Sequence, residues 1–180
     1  MAGLDTNIGA KRARETRALA GLPDEAPVAC LLTFVERELG VPVIVARLHE
    51  GVAGCCWRDG DRVVLWVNGA QPVVRQRFTL AHELGHVRCG HVAGVAVDTY
   101  ATLAGHTTDS LEVQANAFAA ELLAPAVGVR ALVAGREPTL EDVVLTAARY
   151  GISAIAALYR LDTLGFSRRT GLLKREVEEG

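Results

Sequence analysis

The chain has 180 residues, of which 50% are hydrophobic and 22% are charged. A chain of this length and composition forms one ordinary domain or two small ones, and it is too apolar to be intrinsically disordered. The 19 Lys and Arg residues are balanced by 21 Asp and Glu residues, and the resulting net charge of −2 argues against a general polyanion binder, which needs a clear basic excess.

The first third of the chain predicts two helices followed by a small sheet. A short charged helix is expected over residues 11–20, and a second helix, with apolar residues at helical spacing, ends at Gly40. The β-branched run 42–48 predicts a strand. Residues 52–68 contain two strand patterns around an Asp-Gly turn, which indicates a β-hairpin. We therefore expect an early, mostly antiparallel sheet of about three strands.

Helical patterns dominate after the hairpin. Pro72 suits the first position of a long helix that ends near Cys89. The Gly- and Thr-rich segment 90–108 follows, with a short strand pattern at 95–97. Four helices are expected next, over residues 110–123, 127–134, 140–150 and 154–164, and Asp109, Thr139 and Ser153 are the predicted N-caps of the first, third and fourth. The last two, with Gly151 between them, form a helix-turn-helix-like pair.

Cysteine usage and the N-terminal segment indicate a cytoplasmic protein. The four cysteines include no Cys-x-x-Cys pair, which argues against a structural zinc knuckle, and they are too few for a secreted disulfide scaffold. The first 21 residues lack the apolar stretch of a signal peptide. The longest apolar runs, such as 41–46, are too short to cross a bilayer, so no membrane contact is expected.

The most informative motif is His82-Glu83-Leu84-Gly85-His86, which matches H-E-x-x-H inside the long predicted helix. Residues at i and i+4 lie on one helical face, so the two imidazoles can bind one zinc ion. Glu83 lies about 100° around the helix from His82, which lets it act on a water at the metal without being a ligand. Gly85 costs about 1 kcal/mol relative to Ala in a helix. Either a close approach of another backbone segment or simple tolerance would explain it.

A catalytic zinc site generally has three protein ligands, so one more is needed. The spacing that would supply a third histidine requires Gly at position 89 and His at position 92, where this chain has Cys89 and Val92. Glu112, in the first turn of the next long helix, is the best remaining candidate, although Asp109-x-x-Glu112 also matches a capping box. Asn116 lies one turn after Glu112 on the same face and is expected to hydrogen-bond a ligating imidazole.

Two segments resemble the ImmA/IrrE family of zinc-dependent metallo-endopeptidases: residues 77–86, RFTLAHELGH, and residues 112–125, EVQANAFAAELLAP. The second segment is the more specific, since many zinc peptidases share the first. Ala124 replaces the methionine that the family pattern usually has before the proline, which is a packing change. The resemblance covers about residues 25–165.

The resemblance implies a small α+β, zincin-like domain that binds one zinc ion through His82, His86 and Glu112, with Glu83 as the catalytic residue. It also implies a protein substrate, a helix-turn-helix transcriptional repressor, cleaved to relieve repression in a stress or mobile-element response. The donor that stabilises the oxyanion is left open by the sequence. The candidates are His91, Tyr100, His106, Tyr159 and Arg160.

The helix-turn-helix-like pair supports an alternative function, a DNA-binding regulator with a structural or vestigial metal site. A recognition helix needs outward-facing Arg, Lys, Asn or Gln, and only Arg160 on the last helix suits that role. Direct nucleic-acid binding is therefore not expected. A third alternative, a module that sequesters a repressor without cutting it, is disfavoured by the intact His82, Glu83 and His86.

The order of the predicted elements suggests a division of the chain into four segments. These are a flexible or helical N-terminal segment over 1–24, a metallopeptidase core over 25–135, a helical pair packed on the core over 136–166 and a polar tail over 167–180. Because His82 and Glu112 are expected to share one ion, the middle of the chain must form a single unit.

Overall fold

The computed structural model describes residues 2–99, 108–166 and 173 of the chain. The helices within these ranges are α1 Ala2–Leu19, α2 Leu31–Thr33, α3 Val73–Cys89, α4 Ser110–Leu123, α5 Ala126–Val133, α6 Leu140–Tyr150 and α7 Ala154–Leu161. The strands are β1 Val43–Ala46, β2 Val52–Asp59, β3 Arg62–Asn68 and β4 Gly94–Thr99. Two π-helical turns, Phe34–Glu38 and Asp162–Phe166, continue α2 and α7. The expected α+β class is confirmed.

The sheet has four strands in the described part of the chain, in the order β1-β3-β2-β4. Strand β2 runs antiparallel to both of its neighbours, and β1 runs parallel to β3. The parallel pair arises because the hairpin returns β3 between β1 and β2. The sheet has one strand more than the three expected early in the chain. The fourth comes from the segment around 95–97, where the sequence showed only a short strand pattern.

Helix α3 forms the centre of the structure, since it contacts β2, β3 and α4. All of its residues from Thr79 to His86 are buried. A Cβ atom added at Gly85 would lie 3.1 Å from both the Cα and the carbonyl oxygen of Ala115 on α4. The structure thus shows the close backbone approach that was one explanation for this glycine. That approach also brings the first turn of α4, which carries Glu112, against α3.

Helix α1 is longer than the helix expected over 11–20, and it packs along α4. Ala13 is fully buried, and the Arg17 side chain is 2% exposed. Arg17 donates hydrogen bonds to the carbonyl oxygen of Leu122 at 2.8 Å and to that of Pro23 at 2.7 Å. These bonds join the N-terminal segment to the end of α4, so the segment over 2–19 is a packed helix.

The helices α6 and α7 begin with the expected caps, from Thr139 and Ser153. Arg160 of α7 is 8% exposed, donates to the Ala124 carbonyl oxygen at 2.8 Å and forms an ion pair with Glu121 of α4. Arg160, the residue on α7 best suited to contact DNA bases, is therefore bound to other groups inside the fold. Of the polar tail, only Leu173 belongs to the described residues.

The described residues can be searched for membrane-spanning helices and for the state of the cysteines. No single helix among them is long and apolar enough to cross a membrane. The pair α4 and α5 meets the length and composition required only when taken together, and it is bent by 58°. The four cysteines are free thiols, and only Cys30 is exposed.

Candidate metal centre

Helix α3 places the side chains of His82 and His86 one turn apart, as the H-E-x-x-H spacing predicts. The two residues are 0% and 4% exposed. Their Nε2 atoms lie 2.9 Å apart. Two buried ring nitrogens at that separation face a common point, which is the arrangement that a shared ion requires.

Glu112 reaches the same point from α4. Its Oε2 atom lies 3.3 Å from His82 Nε2, and its Oε1 atom lies 3.3 Å from His86 Nε2. The start of α4 is capped instead by Asp109, whose side chain accepts a hydrogen bond from the Leu111 amide at 2.9 Å. The structure therefore brings Glu112 to the histidines and does not use it for the capping box.

Asp98 on β4 is a fourth member of the group, and sequence reasoning missed it. Its Oδ2 atom lies 3.6 Å from His82 Nε2 and 3.5 Å from His86 Nε2. Along β4, Asp98 is buried while Val95 and Val97 are 67% and 55% exposed. The available signal was a carboxylate directly after the strand pattern predicted over 95–97. From hydrophobicity alone, the valines would be expected inside the fold and Asp98 outside. The structure shows the opposite, because the register of β4 with β2 turns Asp98 inward.

The four donors fit a tetrahedral cation. Zinc–ligand distances of about 2.0–2.1 Å place tetrahedral ligands about 3.3–3.4 Å from one another. The donor separations between the histidines, and from each histidine to the two carboxylates, are 2.9, 3.3, 3.3, 3.5 and 3.6 Å, with Glu112 offering a different oxygen to each histidine. One atom from each of the four side chains lies within 4.8 Å of one from every other. A mixed nitrogen and oxygen donor set of this kind suits zinc.

Each histidine of the group has a partner for its other ring nitrogen. His82 Nδ1 lies 3.0 Å from Asn116 Oδ1, which is the contact expected of Asn116. His86 Nδ1 lies 3.0 Å from His91 Nδ1, and His91 Nε2 lies 3.1 Å from Gln114 Oε1. Both contacts leave the Nε2 atoms free to face the centre. Such outer contacts orient ligating imidazoles.

Glu83 is fully buried beneath β2, next to the histidines. A Cβ atom added at Gly54 of β2 would lie 2.6 Å from Glu83 Oε1 and 2.6 Å from Thr79 Cγ2. Any larger residue in place of Gly54 would displace the carboxylate or the strand. The backbone of β2 at Gly54 thus lies directly against the side chains of Glu83 and Thr79 on α3.

The residues of this centre lie in a segment that matches a known family. The family model described as the IrrE N-terminal-like domain matches residues 36–162. The chain belongs to this IrrE-like family. The match contains α3, β4 and α4, and hence every residue of the four-donor group, whereas α1 precedes it.

A curated relative supports the same assignment. The radiation response metalloprotease IrrE of Deinococcus radiodurans is 33% identical over 110 residues, which are 58% of this chain. The aligned part is 34% of the relative, so this IrrE-like chain spans about a third of that protein's length. The resemblance to the ImmA/IrrE family is therefore confirmed.

The electrostatics of the IrrE-like centre favour a positive charge at its middle. Burial lowers the pKa of His82, but hydrogen bonds to Asp98 and Glu112 outweigh burial and raise that pKa to about 9. Burial and the charge of His82 lower the pKa of His86. Burial, reinforced by the Asp98 charge, raises the pKa of Glu83 well above its usual value. The carboxylates therefore stabilise one cationic centre between the histidines.

Three of the five candidates for the donor that stabilises the oxyanion belong to the described residues. His91 contacts His86 and Gln114, as described above. Arg160 is held by Glu121 and the Ala124 carbonyl oxygen. Tyr159 is 40% exposed on α7. Tyr100 and His106 lie outside the described residues.

Proposed function

We propose that the chain is a zinc-dependent endopeptidase that hydrolyses a peptide bond in a protein substrate. The observation that carries the proposal is the convergence of His82, His86 and Glu112 on one point, with Glu83 buried beside them on the same helix. The same four residues are the ones that the family resemblance implies. Membership of an IrrE-like family supports metallopeptidase chemistry in general.

His82, His86 and Glu112 would hold the zinc ion in this mechanism. When bound, zinc is a Lewis acid that makes water a nucleophile at neutral pH and polarises the scissile carbonyl. Asn116 and His91 fix the orientation of the two imidazoles by accepting from their Nδ1 hydrogens.

Glu83 would be the general base and then the general acid. Its carboxylate accepts a proton as water attacks the peptide carbonyl and later delivers that proton to the leaving amine. Burial raises the pKa of this carboxyl. A raised pKa makes the carboxylate a stronger proton acceptor for the first step.

The substrate we propose is a helix-turn-helix transcriptional repressor in the cytoplasm, cleaved to relieve repression in a stress or mobile-element response. The support is the family resemblance and the net charge of −2, which suits an enzyme that meets a basic DNA-binding protein rather than DNA. The burial of Arg160 argues against the alternative of a DNA-binding regulator.

The test compares metal content and cleavage in matched variants. The wild-type chain is expected to purify with about one zinc ion per chain and to cleave a small repressor encoded beside it on co-expression. Glu83→Gln should keep the zinc and lose cleavage at least about a hundredfold, since general acid–base catalysis contributes roughly 10²–10⁴-fold. Glu112→Gln should lose both. Glu141→Gln, at an exposed position on α6, is the matched control and should lose neither.

Three results would contradict the proposal. A wild-type chain without metal, or a Glu83→Gln variant that cleaves like wild type, would overturn the peptidase mechanism. A salt-dependent gel shift of a DNA probe by the purified chain, without cleavage, would favour the DNA-binding alternative.

A further inference from the structure

We propose that Asp98 is a fourth metal ligand that occupies the coordination position a peptidase must keep open for water and substrate. In this state the centre is closed, and β4 has to move Asp98 away before a substrate carbonyl can bind. This inference rests on the metal site of the proposed function and adds a residue that the H-E-x-x-H motif and Glu112 do not include.

The two carboxylates approach the histidines almost equally. Glu112 oxygens lie 3.3 Å from each Nε2 atom, and Asp98 Oδ2 lies 3.5 and 3.6 Å from them. A catalytic zinc site has three protein ligands and one exchangeable position, whereas four protein ligands are typical of closed structural sites. With four protein donors around one point, a tetrahedral ion has no remaining position for water.

The packing of the two carboxylates shows which of them is able to leave. Glu112 belongs to α4, which approaches α3 to within backbone contact at Gly85. Asp98 belongs to β4, which lies at an edge of the described sheet and pairs with β2. The neighbours Val95 and Val97 are more than half exposed. Segments with little buried apolar surface open at the lowest free-energy cost, so Asp98 is the ligand that moves.

A local irregularity in the sheet aims Asp98 at the centre. Val52 pairs with Thr99 and Gly54 pairs with Asp98, so β2 has one extra residue at this point. Such a bulge redirects side chains and is common beside functional sites. Gly54, opposite Asp98, has no side chain, and Glu83 Oε1 occupies the space that its Cβ would need. The bulge therefore places Asp98 opposite Gly54, at the point where β2 packs on Glu83 of α3.

The test measures the open position directly with cobalt(II) in place of zinc and azide as a small exchangeable ligand. In the wild-type chain, azide is expected to leave the visible absorption of bound cobalt unchanged. In Asp98→Asn, azide should shift that absorption. The Zn²⁺ dissociation constant of Asp98→Asn should rise at least about tenfold, because loss of even an outer-shell contact costs 10–100-fold. Val97→Thr, its neighbour on the outer face of β4, is the control and should behave like wild type.

The outcomes separate this inference from the proposed function. A wild-type chain that binds neither zinc nor cobalt overturns the proposed function. A wild-type chain that binds cobalt and responds to azide as Asp98→Asn does overturns the inference alone, as does an unchanged Zn²⁺ affinity in Asp98→Asn. Asp98→Ser provides a second variant if Asp98→Asn does not fold, and circular dichroism checks the fold of each.

Discussion

The orientation of each histidine in the centre depends on a single hydrogen bond to its Nδ1 atom. For His86 that partner is His91, which in turn contacts Gln114. One assignment of tautomers satisfies all of these contacts: with Nδ1 protonated in His86 and Nε2 protonated in His91, His86 donates to His91 Nδ1 and His91 donates to Gln114 Oε1. Gln114 Nε2 then donates to Asp5 of α1 at 2.9 Å. A chain of contacts thus links His86 through His91 and Gln114 to Asp5 of α1.

We predict that His91→Ala weakens zinc binding without unfolding the chain. The Zn²⁺ dissociation constant should rise by roughly 10–100-fold, the usual effect of removing an outer contact of a ligating histidine. Competition with a chromophoric chelator measures it, with His49→Ala, at an exposed site, as the control. An affinity within about twofold of wild type would show that His91 does not position His86.

At the scale of elements, helix caps and close helix contacts hold the scaffold of the site. Helix α6 begins with a capping box in which Thr139 and Asp142 bond reciprocally. Asp142 also accepts two hydrogen bonds from Arg136, at 2.5 and 2.7 Å, and its side chain is 1% exposed. The Arg136 guanidinium, together with the Thr139 bonds, lowers the pKa of the Asp142 carboxyl.

This cap predicts an acid-sensitive contribution to stability. The folded-state pKa of Asp142 lies below its unfolded value of about 3.9, so its stabilisation is complete well above pH 4 and is lost as the pH falls through the folded pKa. Asp142→Asn should lower the free energy of unfolding by about 1–2 kcal/mol at pH 7, allowing for the solvent around Arg136. Urea unfolding at pH 7 and pH 3 measures the difference. A difference that is as large at pH 3 as at pH 7 would contradict this account.

At the scale of the whole molecule, α1 lies before the matched segment 36–162 and is nevertheless part of the packed structure. Asp5 contacts Ser110 and Gln114 of α4, and Arg17 bonds to the last turn of the same helix. The division into a core over 25–135 and a helical pair over 136–166 stays a prediction. The contacts of α1 show where the N-terminal segment attaches.

Glycine substitutions in α1 test this attachment. A Cβ atom at Gly9 would lie 2.0 Å from the Gln114 carbonyl oxygen, whereas nothing lies within 4 Å of one at Gly3. Gly9→Ala should therefore destabilise the chain by about 1–3 kcal/mol, as overpacking does. Gly3→Ala, the matched control on the same helix, should stabilise it by up to about 1 kcal/mol through helix propensity. Thermal unfolding of both variants decides the matter, and equal shifts of the two melting temperatures would rule out the tight α1–α4 contact.

Local sequence was sufficient for the features that depend on neighbouring residues. The H-E-x-x-H spacing placed His82 and His86 on one helical face, and Thr139 and Ser153 marked the helix starts that the structure shows. These predictions succeed because helix periodicity and capping involve atoms only a few residues apart. The extra length of α1 was missed because its apolar pattern is weak and its helix is completed by packing on α4.

Tertiary structure alone decided which distant groups meet the histidines. Asp98 enters the centre through the register of β4 with β2. Gly9 and Gly85 mark places where helix backbones come into contact, and Gly54 marks the place where β2 meets the Glu83 side chain. Apart from the mid-helix glycine at position 85, the local sequence carried no signal of these contacts, because they depend on the relative placement of elements far apart in sequence. The motif therefore predicted that His82 and His86 share one helical face, and the packing of β4 determined that a second carboxylate, Asp98, lies beside them with Glu112.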